Sequence, residues 1–182
     1  MSARLPAENS DTVSLVCALL VRYPEIASIR SMPGEGTVRL SYAVSSRIDR
    51  KTQRRVTEDI EAHVDGFLSL IGERGEIKVE CESDRALSLL HVTRDLETFT
   101  KDELAMLTSY LADRFDGALV RNPVPDEHPD EDPAFQDELA ESAIEALRDP
   151  AQSKSLVGFR EEKRVLVYFL KSQKKAKASA RR

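Results

Sequence analysis

The stretch from Ile26 to Val120 carries one pattern twice, and this repetition limits the folds open to the chain more than any other feature. Each copy has two strand-like runs joined by a short loop, followed by an amphipathic helical run. The first reads IASIRSMPGEGTVRLSYAV and then DRKTQRRVTEDIEAHVDGFLSLIG; the second reads EIKVECESDRALSLLHV and then TKDELAMLTSYLADRFDG.

In the first copy, Ile26 to Ser31 and Thr37 to Val44 flank MPGEG, whose Pro and two Gly supply turn geometry. Val38, Leu40, Tyr42 and Val44 alternate with Thr37, Arg39, Ser41 and Ala43, so one face of that strand is expected in the core and the other in solvent. The helix from about Asp49 to Ile71 sets Val56, Ile60, Val64, Phe67 and Ile71 on one stripe, and Gly72 and Gly75 end it. In the second copy, strands Ile77 to Glu82 and Ala86 to Thr93 flank Ser83-Asp84-Arg85. The following helix has Thr100 at the N-cap, Glu103 completing a capping box, and Phe99 placed to staple onto Leu104. Leu104, Leu107, Leu111 and Phe115 form its apolar stripe, and Gly117 suits the position just past its end.

Two such ββα units can form an antiparallel sheet with strands ordered first, second, fourth, third and both helices on one face. The expected fold is therefore a two-layer α+β sandwich with a mainly antiparallel four-stranded sheet, ferredoxin-like or its permutation. Ala118 to Arg121 reads as a further short strand that competes with Ile26 to Ser31 for one edge, and the shorter loop favours the latter. Before the repeat, Met1 to Asn9 reads as a loose arm. A helix capped by Ser10 or Asp11 follows, with Val13, Val16, Leu19, Leu20 and Tyr23 on its apolar side and Pro24 at its end.

After the duplicated core, residues 10–122, the chain divides into an acidic Pro-rich linker (123–132), a helix-plus-hairpin appendage (133–170) and a basic tail (171–182) expected to be disordered. Asp132 and Pro133 fit the start of a helix to about Arg148, with Phe135, Leu139, Ala143 and Leu147 on one face. The hairpin would pair Leu156 to Arg160 with Arg164 to Leu170 and either extend the sheet or pack with the 133–148 helix as a small lobe. Because VLVYFL is apolar on both faces, it calls for a cover, either the 132–148 helix or a second protomer.

The charge is uneven: the net −5 conceals a last dozen residues with six cations and no acid, without which the remainder has 21 basic against 32 acidic side chains. An acidic body repels phosphate backbones, so any contact with nucleic acid would be local and salt-sensitive. Two cationic clusters qualify. One is Arg47, Arg50, Lys51, Arg54 and Arg55, which at helical spacing share one side and oppose the helix dipole; the other is Lys171, Lys174, Lys175, Lys177, Arg181 and Arg182. The acidic run Asp126 to Asp132, with Glu138, Glu141 and Glu145, reads as a solvated linker and helix face.

Glycine-rich phosphate loops, zinc-protease and redox cysteine motifs and the hydrolase nucleophile elbow are all missing from the sequence. No catalytic residue, metal or cofactor is therefore assigned. Cys17 and Cys81 read as buried reduced thiols. His63 and His91 would share a metal only if the helix covered that strand; structural roles are preferred, and His128 falls in the linker. Base stacking on the two central strands, the RRM mode, finds no aromatic in ALSLLHV and only Tyr42, on the apolar side, in its partner. The expectation is a cytoplasmic, non-enzymatic binding or adaptor module without a membrane segment, contacting RNA or an RNP through the basic clusters. A small-molecule sensor with its ligand between the two units is the alternative.

Overall fold

A computed structural model describes residues 7–122 and 132–171. In chain order the elements are α1 (Ala7–Arg22), β1 (Ile26–Met32), β2 (Thr37–Val44), α2 (Arg50–Ile71), β3 (Ile77–Ser83), β4 (Ser88–Asp95), α3 (Lys101–Phe115), α4 (Pro133–Arg148), β5 (Leu156–Glu161) and β6 (Arg164–Phe169). The protein is α+β, with one antiparallel six-stranded sheet ordered β3-β4-β2-β1-β5-β6 and four helices. The strands of the repeat lie in the expected order. The sheet has six strands rather than four because the C-terminal hairpin joins the free edge of β1, which selects sheet extension over the alternative of a small lobe with α4.

Residues 118–120 do not displace β1. β1 follows β2 as far as Tyr42, after a register shift between Ile26 and Ser28, and beyond that point Leu119 bridges Val44. Ser45 N donates to Ala118 O at 2.7 Å and Val120 N to Ala43 O at 2.8 Å, so each competitor takes a different part of the same strand.

All four helices pack on the sheet face built by Ile29, Leu40, Tyr42, Leu90, Val92 and Leu156. α1 sits so close to β5 that a Cβ on Gly158 would come within 2.9 Å of Leu20 Cδ1 and 3.2 Å of Ile29 Cγ2. α1 starts at Ala7, earlier than expected, because Ala7 and Glu8 are good helix formers. In α2 the buried stripe is Val56, Ile60, Val64 and Leu68; it advances by four, drifting about 40° around the helix at each step, and so takes in Leu68 while Phe67 is half-buried and Ile71 exposed. In α4 the small residues Ala140 and Ala143, with Ile144 and Leu147, face α1, while Phe135, in the first turn, is 49% exposed.

Helix ends follow local chemistry. Asp49 caps α2 by accepting from Thr52 N at 3.0 Å, and Thr100 caps α3 by accepting from Glu103 N at 3.2 Å. α3 ends on Asp116, at φ 42 and ψ −123, and not on Gly117 as expected. This region suits glycine and strains a residue with a Cβ.

The largest departure from the sequence reading lies at the end of β4, which continues two residues beyond Thr93. Alternation then turns Arg94 toward the helices, where it is fully buried. Its Nε and Nη2 donate to Glu103 Oε1 and Oε2 at 2.6 and 3.0 Å, Nη2 also to Thr98 Oγ1 at 3.0 Å, and Nη1 to Glu76 O and Asp95 Oδ1. All five guanidinium N–H groups are thus engaged. Glu103, expected to reach back to its own N-cap, instead anchors α3 to β4. Gly75, read as a helix terminator, is needed because a Cβ there would strike Thr98 Oγ1 and Asp95 Oδ1. Burial alone would lower the Arg94 pKa, but Glu103 and Asp95 outweigh it and hold the guanidinium charged.

Two outcomes follow for denaturant and pH titrations. Glu103→Ala strands a buried cation and should cost about 3–5 kcal/mol, whereas replacing Arg94 and Glu103 together by Met and Leu should recover most of that loss. Burial pushes the Asp95 carboxyl up, but hydrogen bonds from Thr98, Glu76 N and Arg94 hold it below the usual range. Because its folded pKa lies below the unfolded one, its stabilisation is present in full above about pH 4 and lost as pH falls through the folded value. Asp95→Asn should therefore flatten the acid limb of the stability curve; an unchanged limb would remove Asp95 from the account. A separate test of α1 packing is Gly158→Val, which should lower stability by about 1–3 kcal/mol through overpacking.

Candidate nucleic-acid interface

β2 ends beside the start of β4, and the chain then passes through Ser45–Asp49 into α2. Here a serine network joins α2 to the β3–β4 turn. Ser88 Oγ accepts from Ile48 N at 2.9 Å and meets Ser83 Oγ at 2.8 Å, and Gln53 Nε2 donates to Ile48 O at 2.8 Å and Ser83 Oγ at 3.0 Å. The turn itself closes with Asp84 N donating to Leu87 O at 2.8 Å.

This network holds Arg47, Arg50, Lys51, Arg54 and Arg55 at one corner with Arg85 of the turn, and all six are exposed. Only Arg54 has an ion-pair partner among the described residues, Glu58 at 2.9 Å. The first turn of α2 holds no acid; Asp49 before it is spent on the cap, where the Thr52 amide and hydroxyl hold its pKa below the ordinary value, and Asp84 of the turn accepts from the Arg85 amide at 2.7 Å. The corner is thus a field of cations at a helix N-terminus that itself carries partial positive charge. The sequence reading had five of the six. Arg85 was missed because its membership depends on the turn folding back onto α2, which only the Gln53 and Ser83 contacts reveal.

The tail does not begin at this corner. Lys171 is exposed and follows β6, which is five strand positions from β3, about 24 Å across the sheet. Following the antiparallel strand directions, the start of α2 and Lys171 also lie at opposite strand ends. Lys174, Lys175, Lys177, Arg181 and Arg182 fall outside the described residues, as do His128 and the acidic run from Asp126 to Glu131. Glu138, Glu141 and Glu145 are exposed on α4.

The sheet face away from the helices differs in kind. Arg39 pairs with Glu80 at 2.6 Å, and Lys78 reaches the same carboxylate at 2.9 Å and is the chief cause of its lowered pKa. On β2 and β4 this face shows Thr37, Arg39, Ser41, Ala43, Leu89, His91, Thr93 and Asp95, with no aromatic. Ser41 and Ala43, expected in solvent, are buried by their cross-strand neighbours. The aromatic pair of this face, Phe159 and Tyr168 with ring centroids 6.1 Å apart, belongs to the hairpin.

The histidines stay separate. His91 shares a hydrogen bond with Ser41 at 2.8 Å on the face away from the helices, while His63 on α2 donates to Asp59 O at 2.6 Å and stacks on Tyr110 at 4.7 Å. No cluster of three or more metal-ligating side chains occurs among the described residues. Cys17 and Cys81 are free and only half-buried, and burial pushes both thiols up, away from the reactive thiolate. An open cleft of about 510 Å3 runs between α2 and α3, lined by His63, Met106, Ser109, Tyr110, Asp113 and Arg114. Tyr110 donates to Asp59 Oδ2 at 3.0 Å, and burial together with that carboxylate pushes its pKa up to about 12. No helix among the described residues is long and apolar enough to cross a membrane. Comparison with family models, curated proteins and solved structures returned no match.

Spectrophotometric titration should find Tyr110, like the buried Tyr23 and Tyr42, ionising at a raised pH, with Asp59 contributing to the shift of Tyr110 alone. Asp59→Asn should bring it back toward the ordinary value near 10; no downward change would show that the carboxylate does not act on it.

Proposed function

We propose that the chain is a non-enzymatic binding module, cytoplasmic, that contacts single-stranded RNA or an RNP through the corner formed by Arg47, Arg50, Lys51, Arg54, Arg55 and Arg85. The observation that supports this reading is that five of these six cations have no acidic partner among the described residues, although the chain as a whole carries more acid than base. Elsewhere Arg94 is matched by Glu103 and Asp95, Arg39 by Glu80 and Arg22 by Asp137, and other cations without an ion pair among the described residues, such as Arg30, Arg74 and Arg114, are not gathered at the start of one helix. A set of unmatched cations opposing a helix dipole lowers helix stability, and a bound polyanion offsets that cost. The basic tail serves as a second, independent contact, since it leaves the fold far from this corner.

The small-molecule reading comes second. The cleft between α2 and α3 lies where a ligand between duplicated ββα units would sit, and this reading takes the two units as a ferredoxin-like duplication. Two of its polar groups, His63 and Tyr110, are however already engaged with Asp59.

The test is a titration of the full chain with a mixed-sequence single-stranded RNA over a range of salt. Each phosphate contact should contribute about 0.7 to the slope of log affinity against log salt. Arg50→Glu, Arg54→Glu and Arg85→Glu combined should weaken binding at least tenfold and flatten the slope. Equal binding by the variant, or none by the intact chain, would leave the corner as solvated surface.

A further inference from the structure

The two edges of the sheet are built differently. β3 carries Lys78, Glu80 and Glu82 at alternate positions, charges that discourage a further strand. β6 ends the sheet on the other side. After Arg164 it runs Val165, Leu166, Val167, Tyr168 and Phe169 without a charge, a proline or a register shift against β5.

Its hydrogen-bond phase can be read from one contact. Leu170 N donates to Ser155 O at 2.7 Å, and antiparallel pairs alternate between bonded and non-bonded, so Arg164, Leu166, Tyr168 and Leu170 turn their backbone groups toward β5. Val165, Val167 and Phe169 turn theirs outward, where no strand meets them among the described residues. The side chains of these three lie half-buried against the core on the helix side; Leu166 and Tyr168 lie on the other face, where Tyr168 is 52% exposed. α1, rather than α4 or a second protomer, covers the helix-side residues of this strand, so the expected cover is present on one face only.

We propose that a second copy of this chain completes β6 by antiparallel pairing about a two-fold axis at Val167, joining two sheets into one of twelve strands. Among the two-fold registers that oppose outward-turned residues, this one engages all three. Val165 faces Phe169 of the second copy, Val167 faces its equivalent, and six backbone hydrogen bonds form. Side chains match in the same register: Leu166 lies beside Tyr168 of the second copy on one face, and valines and phenylalanine meet on the other. Lys163 and Lys171 oppose one another only at the exposed ends, so salt does not weaken the dimer as it weakens an RNA contact. A self-complementary strand favours a copy of itself over an unrelated peptide, because one apolar pattern serves both sides of the pairing.

The experiment is light scattering on the full chain across micromolar concentrations, where the expected mass is twice 20.4 kDa. Val167→Pro removes an outward N–H and leaves the β5–β6 ladder intact, so it should give a monomer with an unchanged circular dichroism spectrum. If that variant fails to fold, Leu166→Lys with Tyr168→Lys, at half-buried and exposed positions on the face away from the helices, should give the monomer. Register is read by mixing Leu166→Cys protein with Tyr168→Cys protein: this narrow pair, about 4.5 Å between Cα atoms, should form a mixed disulfide dimer in preference to either variant alone. A monomeric intact chain, a dimer that persists in the folded variants, or crosslinking equal in each variant alone would overturn the proposal.

Discussion

A single buried arginine sets the geometry of one end of this fold. Arg94 reaches the helix-facing side of the sheet only because β4 runs two residues past its apolar alternation, and an unpaired guanidinium there would cost several kcal/mol. Its partners come from three places in the chain: Glu103 in the first turn of α3, Asp95 at the end of β4 with Thr98 just after it, and the Glu76 carbonyl before β3. Satisfying all five donors at once fixes the entry of α3 and the α2–β3 crossing together. Arg148 extends this junction to α4 by donating to Leu96 O at 2.9 Å and Phe99 O at 2.6 Å. Arg160 ties the hairpin to the α1–β1 turn in the same manner, through the carbonyls of Tyr23 and Ile26.

Much of the architecture was legible from periodicity. The alternation of TVRLSYAV, the apolar stripes of α1 to α3 and the cap at Thr100 are local patterns, and local patterns survive folding when burial reinforces them. What was not legible depends on distant partners. Glu103 fits a capping box by sequence, yet a carboxylate in reach of a buried guanidinium gains more there than at an exposed amide. The sequence left the hairpin either extending the sheet or forming a lobe with α4; its docking on β1 depends on Gly158, whose missing Cβ leaves room for α1. Phe67 and Phe135 were read as core because they are large and apolar, whereas Leu68 and the alanines of α4 are the side chains that fit.

Charge on the rest of the surface is partly paired. On the sheet face away from the helices Arg39 and Lys78 share the Glu80 carboxylate, and α1 is joined to α4 by Arg22 and Asp137 at 3.2 Å. At the start of α2 the cations accumulate instead, and the serine and glutamine contacts that lock the β3–β4 turn against the helix bring in one more. The proposed function rests on this concentration of unpaired cations at one helix start. The sequence suggested the cluster; the folded chain places Lys171 away from it and adds Arg85.

The most direct test is the chemical-shift map of the isotopically labelled full chain titrated with a short single-stranded RNA at low salt. The account predicts progressive shifts at the amides of residues 47–55 and 83–86, with those of residues 94–103 unmoved because that junction is buried and saturated with its own partners. Shifts confined to the tail, or centred on the hairpin face around Phe159 and Tyr168, would contradict it.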